Sequence, residues 1–352
     1  MMAGSVGYPP EVPDSTPERL SRRPLRSAGV ALALGLSLVL AACGGDPAAD
    51  PTTDPSAAGQ SSDPSAAATP AGEITTDDNL DRIEITGDDA PTVTVPAPWG
   101  ISETTVEVLK PGSGPVVAEN SWVRVNYHGV NGRTGEVFDS SWERGAPAPM
   151  STDQVVTGFK KALEGQQVGS RVVVAMTGAD GYDPQGQPPD ILPGDTLIFV
   201  IDILGAEIPE PTGTEHAPAP WMPAVTVGDN GVPVITQPEG PAPTETMSGY
   251  LIEGDGEVVQ EGDAIILRYI AIAWESGTVM EQNFDAPEPD AALLTDLVPG
   301  FQEAMIGKKS GSRIVIAIPP SAGYPEGNPE LNLAPGETMI YVVDLSFVTP
   351  VG

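Results

Sequence analysis

The chain has 352 residues, 49 acidic against 16 basic side chains, a formal charge of -33, two histidines and one cysteine. So acidic a surface excludes nucleic acid as a ligand, because phosphate binding needs clustered Lys and Arg. Two histidines, one in a proline-rich stretch, leave no material for a histidine triad or a zinc centre, and a lone cysteine leaves no disulfide within the chain.

Residues 1–42 read as an export signal with an N-terminal extension: Arg19, Arg22, Arg23 and Arg26 precede an uncharged stretch from Ser27 to Ala42. That stretch is short and weakly apolar for a bilayer span, which takes about 20 apolar residues. Ser21-Arg22-Arg23 hints at twin-arginine export while Pro24 and Arg26 fit that signal poorly, so the route stays open. Cys43 ends the run Leu40-Ala41-Ala42-Cys43. The run resembles a bacterial lipobox, which implies cleavage before Cys43 and acylation of its sulfur. The acyl chains would then hold an acidic protein at the outer face of the cytoplasmic membrane.

Residues 43–79 carry almost no large apolar side chain and are expected to form a lipid-anchored flexible linker. A first domain is expected over 80–208. It opens on Pro91-Thr92-Val93-Thr94-Val95, expected as an extra strand leading into the core. Trp122 to Tyr127 alternates as a half-buried strand, and Ser170 to Met176 and Thr196 to Ile203 are β-rich runs. Only Val156, Phe159, Ala162 and Leu163 have helical spacing, and Gly165 ends that run. One short helix against several strands predicts an α+β domain with a sheet packed on a helix.

Residues 209–220 mark a join, and a second domain is expected over 221–352, again with a β-like phrase at Pro223 to Val227. Leu109 to about Ala206 recurs at Leu251 to about Val348, always 142 positions later: Tyr127 as Tyr269, Gly158-Phe159 as Gly300-Phe301, Gly169-Ser170-Arg171 as Gly311-Ser312-Arg313, Gly181-Tyr182 as Gly323-Tyr324. A repeat this long is a duplicated domain, since solenoid units run to about 20–50 residues.

The ordered series Tyr127, Val137-Phe138-Asp139-Ser140-Ser141, Gly158-Phe159, Val168-Gly169-Ser170-Arg171, Gly181-Tyr182 and Pro193-Gly194-Asp195-Thr196-Leu197 resembles the FKBP-type peptidyl-prolyl isomerases over about 100 residues. The resemblance implies two domains, each a half-open antiparallel sheet wrapped across a short helix around an aromatic cavity. It implies Tyr127, Phe138, Phe159 and Phe199 as ring walls and Val155, Val156 and Ile191 as aliphatic walls. Tyr182 would be a hydroxyl donor at the rim, with Asp139 and Arg144 as a polar pair beside the cavity. Asp139, Tyr182, Phe159 and the Val156 backbone are the expected catalytic groups. Phe159 stands where many members have tryptophan, and Ala148 where many have phenylalanine, which implies a wider cavity.

The implied activity is rotation about X-Pro bonds, with no cofactor and no metal. The implied ligands are proline-containing unfolded or nascent exported polypeptides, with a macrolide inhibitor in the first pocket. In the second copy the offset gives Tyr269, Met280, Glu281, Ala286, Leu297, Val298, Phe301, Tyr324, Leu333 and Tyr341. Its polar pair is lost, which predicts a weaker peptide site or a scaffold. The competing readings are a non-catalytic peptide-binding module or holdase on the same cavities, and an envelope spacer.

Overall fold

The computed structural model describes residues 74–228 and 231–350. The signal and Cys43, and most of the expected linker over 43–79, lie outside the described residues.

In the first copy a hairpin of β1 (Glu84–Thr86) and β2 (Thr92–Thr94) precedes the sheet. The sheet is built from β3 (Thr105–Lys110), β4 (Trp122–Asn131), β5 (Val137–Ser140), β6 (Ala148–Ser151), β7 (Arg171–Met176) and β8 (Leu197–Ala206). A four-residue helix α1 (Ser141–Arg144) follows β5, and α2 (Thr157–Leu163) follows β6. Every pairing is antiparallel, in the order β3-β7-β8-β4-β5, and β6 also pairs with β4.

One edge of β4 thus serves two partners, β5 at His128–Val130 and β6 at Trp122–Val125. Between them Ser141 fills the gap: its hydroxyl accepts from the Tyr127 N–H at 2.9 Å. Tyr127 is thereby fixed where α1 begins.

Helix α2 buries Gly158, Phe159, Ala162 and Leu163 and turns Lys160 and Lys161 outward, as the spacing predicts. It lies so close to β7 that a Cβ on Gly158 would stand 2.6 Å from the Met176 Cβ. The same contact recurs at Gly300, 2.5 Å from the Ile318 Cγ2, which explains the repeated Gly-Phe pair.

The strands are continuously apolar because both faces of the sheet are covered. Val172, Val174 and Met176 face α2, while Val173 and Ala175 join Ile198 and Val200 on the back. There Leu80, Ile83, Val93, Val95, Trp99 and Ile101 cover them. Within Pro91 to Val95 the structure forms the extra strand that the alternation predicts, outside the main sheet and with Val93 and Val95 buried. Thr92–Thr94 pairs only with β1, and the hairpin serves as a lid on the back face. Arg171 fastens the lid: it forks onto Asp202 through Nε (2.6 Å) and Nη2 (2.7 Å) and donates to the carbonyls of Gly87, Asp88 and Asp89.

The second copy repeats this plan. Its strands are β9 (Thr214–Glu215), β10 (Val225–Val227), β11 (Pro233–Ile235), β12 (Met247–Glu253), β13 (Ala264–Ala273), β14 (Val279–Gln282), β15 (Asp290–Leu293), β16 (Ser312–Ile318) and β17 (Met339–Thr349), with helix α3 (Pro299–Met305). The order is β9-β12-β16-β17-β13-β14, β15 also pairs with β13, and β10-β11 forms the back-face hairpin. Residues 209–220 are tied to this sheet: β9 pairs with β12, and Thr212 N–H donates to the Gly311 carbonyl at 2.9 Å. Ile208 N–H donates to the Ser346 carbonyl at 2.9 Å, and Arg124 pairs with Glu257 at 2.6 Å, so the two copies touch.

Candidate functional site

Four rings meet between sheet and helix in the first copy. Tyr127 and Phe199 come from neighbouring strands, Phe138 from β5 and Phe159 from α2. Phe159 lies edge-on to Phe199 with centroids 5.1 Å apart, Phe138 edge-on to Phe199 at 5.3 Å, and Tyr127 edge-on to Phe159 at 5.8 Å. Each such contact adds about 0.5–1.5 kcal/mol beyond burial, so the rings hold one another in place. Ile191 is buried against them, and Val155, Val156 and Tyr182 pack there half-exposed. The structure therefore brings every wall residue named from the sequence of the first copy into one cluster.

Beside the rings stands a polar triangle. Tyr127 donates its hydroxyl hydrogen to Asp139 Oδ2 at 2.5 Å, and Arg144 Nη2 donates to the same Tyr127 oxygen at 2.7 Å. Arg144 Nη1 pairs with the other Asp139 oxygen, and its guanidinium carbon lies 5.1 Å from the Tyr127 ring centroid. Burial first, then the hydrogen bond to Asp139, holds the Tyr127 hydroxyl far above the phenol range, so it stays protonated. Burial and the Asp139 charge also raise Tyr182. Both Asp139 oxygens are engaged, so the carboxylate orients its neighbours and is not placed to take a proton.

Two donors are left over beside these rings. Neither the Val156 N–H, at the start of α2, nor the Tyr182 hydroxyl has a hydrogen-bond partner among the described residues. Two surface hollows lie elsewhere, about 690 Å³ along residues 241–248 and about 500 Å³ between the copies around Ala206 and Phe347. Neither includes a ring of the cluster.

In the second copy Tyr269, Met280, Phe301, Leu333 and Tyr341 form the corresponding buried cluster, with Leu297, Val298 and Tyr324 packed against it. Phe301 lies edge-on to Tyr341 at 5.3 Å, and the Tyr341 hydroxyl is turned to the Met339 sulfur at 3.7 Å. Asn283 takes the place of Ser141, accepting from the Tyr269 N–H at 2.7 Å.

One residue here was missed from the sequence. Asp290, 142 positions after Ala148, starts β15; burial raises its carboxyl, and Tyr269 and Asn283 beside it pull it back down. The signal was available, because applying the repeat offset to Ala148 finds it. Burial first, then the Asp290 charge, pushes the Glu281 carboxyl up to about 7, against a hydrogen bond from Tyr269 that pulls it down. Arg268 does not neutralise the two acids directly. It donates to the carbonyls of Asn283, Ala286 and Pro287.

A sequence model of the family described as FKBP-type peptidyl-prolyl cis-trans isomerase matches residues 114–204 and again 256–346. A probable FK506-binding protein from Corynebacterium glutamicum is 32% identical over 114 residues, covering 32% of this chain and 95% of that protein. An FK506-binding protein from Streptomyces anulatus is 34% identical over 117 residues, 32% of this chain and 94% of that protein. The peptidyl-prolyl cis-trans isomerase Mip of Coxiella burnetii is 34% identical over 103 residues, 29% of this chain and 44% of that protein.

Proposed function

We propose that this chain, which belongs to the FKBP-type peptidyl-prolyl cis-trans isomerases, turns X-Pro bonds in its first domain and binds peptide more weakly in its second. The observation that carries this reading is the pair of unused donors, Val156 N–H and Tyr182 hydroxyl, packed against a four-ring cluster whose one carboxylate is already engaged.

The reaction breaks no bond. An X-Pro amide turns over tens to hundreds of seconds unaided, against a barrier near ~18–20 kcal/mol for peptide bonds generally. A planar amide is polarised by resonance, and the twisted form loses much of that dipole, so water favours the planar state. Phe138, Phe159, Phe199 and Tyr127 supply a cavity wall without water, which favours the twisted state, and each ~1.4 kcal/mol gained selectively there is about tenfold in rate. The Val156 N–H and the Tyr182 hydroxyl hold substrate carbonyls on either side of the turning bond. Asp139 and Arg144 fix Tyr127 and set the field at the cavity mouth.

The lipobox-like Leu40-Ala41-Ala42-Cys43 and the unapolar stretch after it support a lipid-anchored protein outside the cytoplasmic membrane that acts on unfolded, proline-containing exported chains. A macrolide would occupy the same four-ring cavity. A holdase role fits the second domain better, where Ala286 replaces Arg144 and the acids replace the ion pair.

The test is the cis-to-trans rate of a short X-Pro peptide, followed without a coupled protease, with the full chain added. Acceleration that disappears in Asp139→Ala and survives Glu281→Ala supports a catalyst in the first domain. No acceleration, with unfolded clients still protected from aggregation, sinks it in favour of a holdase. Retention of Cys43→Ser in the membrane fraction would sink the anchor.

A further inference from the structure

Gly129 sits near the end of β4, paired with Phe199 on one side and Asp139 on the other. Its backbone is ordinary extended strand, so no unusual φ calls for glycine there. What calls for it is space. A Cβ on Gly129 would lie 2.8 Å from the Phe138 Cζ, 2.8 Å from the Phe199 Cε1 and 3.1 Å from the Phe138 Cε2. Carbon atoms rest at about 3.5–4.0 Å, so a single methyl would drive both rings from their places.

The second copy contains the complementary answer. Ala271 occupies the matching position, paired with Tyr341 and Glu281 in the same register, and is fully buried. On the strand beside it Met280 takes the place of Phe138, in the same buried cluster as Ala271. An unbranched thioether bends around a methyl where a rigid ring cannot. Glycine with phenylalanine, and alanine with methionine, are therefore two solutions of one packing constraint.

We propose that Gly129 is a positioning residue of the first cavity, holding open the place of the Phe138 ring, and that positions 129 and 138 act as a coupled unit that decides whether the cavity has a fourth ring. This rests on the reading of that cavity as the peptide site. The second cavity lacks its fourth ring for a reason that Met280→Phe alone does not repair, because Ala271 must also become glycine.

The experiment is a double-mutant cycle on the full chain with Gly129→Ala, Phe138→Met and the two combined. The readouts are KM and kcat for a blocked Ala-Leu-Pro-Phe tetrapeptide, and its Kd by titration. Gly129→Ala should weaken binding by about tenfold, the size expected of an overpacked methyl. Adding Phe138→Met should restore part of that loss, so the double variant binds better than Gly129→Ala alone. Losses that multiply independently, or a Gly129→Ala variant that binds like wild type, would overturn the proposal.

If Gly129→Ala fails to fold, the double variant must recover the near-UV dichroism of the native protein; failure of both to fold overturns it. A wild-type chain that binds the tetrapeptide without turning it removes the isomerase reading alone, and the Kd cycle still decides the role of Gly129. A wild-type chain that does not bind it overturns both.

Discussion

In the first copy Tyr127 is locked between Asp139 and Arg144, a carboxylate and a guanidinium that neutralise each other across one phenol oxygen. In the second, Tyr269 stands against two acids, Glu281 and Asp290, and the nearby Arg268 is occupied by backbone carbonyls. The strands that carry these groups pair in the same order and register, and both tyrosine N–H groups are held by a side chain from the segment after the next strand, Ser141 or Asn283. The difference teaches that the backbone of this domain sets where the pocket lies, while a few rim residues decide whether its charge is balanced. A charge-balanced pocket can accept a neutral amide without rearranging its own ions. One with two neighbouring acids, offset only in part by Arg268, holds a proton on Glu281 that it gives up as pH rises.

The largest effect that would break this comparison is expected at the helix ring. Phe159→Ala removes a side chain that touches Tyr127 and Phe199, and a buried phenylalanine cut to alanine costs about 3–5 kcal/mol. Isomerisation should vanish and the first unfolding transition drop steeply in calorimetry, whereas Phe301→Ala should destabilise comparably and spare the activity. Equal loss of activity in both variants would place catalysis in both cavities.

Next in size is Asp139→Asn, which keeps the shape and removes the charge that Arg144 and Tyr127 share. Hydrogen bonds to a charged group contribute about 1.5–3 kcal/mol, so kcat/KM should fall on the order of tenfold to a hundredfold. Glu281→Gln should leave it unchanged.

The acids of the second pocket sharpen the contrast through pH. The Glu281 carboxyl, at about 7 when folded against an ordinary 4.5, binds its proton more tightly in the folded chain. Its contribution to stability is therefore full below about pH 4.5 and lost as pH rises through 7. With partial exposure damping the effect, the loss over that window is on the order of 1–2 kcal/mol. Wild type minus Glu281→Gln, compared by thermal unfolding from pH 4 to pH 8, should trace this curve. A flat difference would mean that the two acids are neutralised by something else.

The smallest effect concerns one hydrogen bond. Thr104 Oγ1 accepts from the Thr177 N–H at 3.2 Å, whereas its repeat partner Thr246 has a buried hydroxyl with no partner among the described residues, because Pro319 replaces Thr177. The two backbones match, with φ -68° at both positions. Pro319→Thr should regain about 0.5–1.5 kcal/mol and give back about 0.4–1 kcal/mol of proline stiffness, for a net change within about 1 kcal/mol. Hydrogen exchange should show the new amide at position 319 protected.

Much of this site was legible in the sequence because it is written in residues with few substitutes. Gly158 stands where a Cβ would strike β7, and the rings of Tyr127, Phe159 and Phe199 fall at fixed steps along strands and helix. The back-face lid was not legible. The alternation in Pro91 to Val95 says which side is buried but not which strand it pairs with, and both the main sheet and a local hairpin satisfy it. Asp290 was legible only through the repeat, as the residue 142 positions after Ala148. Its own neighbours, Pro289 and Ala291, give no sign that a carboxylate there turns toward the tyrosine.

The lid also fixes an order of events during synthesis. Its carbonyls at Gly87, Asp88 and Asp89 wait for Arg171, between 82 and 84 residues further on, and the Ile101 N–H waits for the Thr196 hydroxyl 95 residues later. Contacts so distant along the chain close slowly, since each must first overcome the entropy of the intervening loop. As a domain of this kind emerges from the ribosome or the export channel, its first strands are complete long before they have anything to cover. In that interval the apolar side chains of the lid are open to whatever chaperone or neighbouring chain reaches them first.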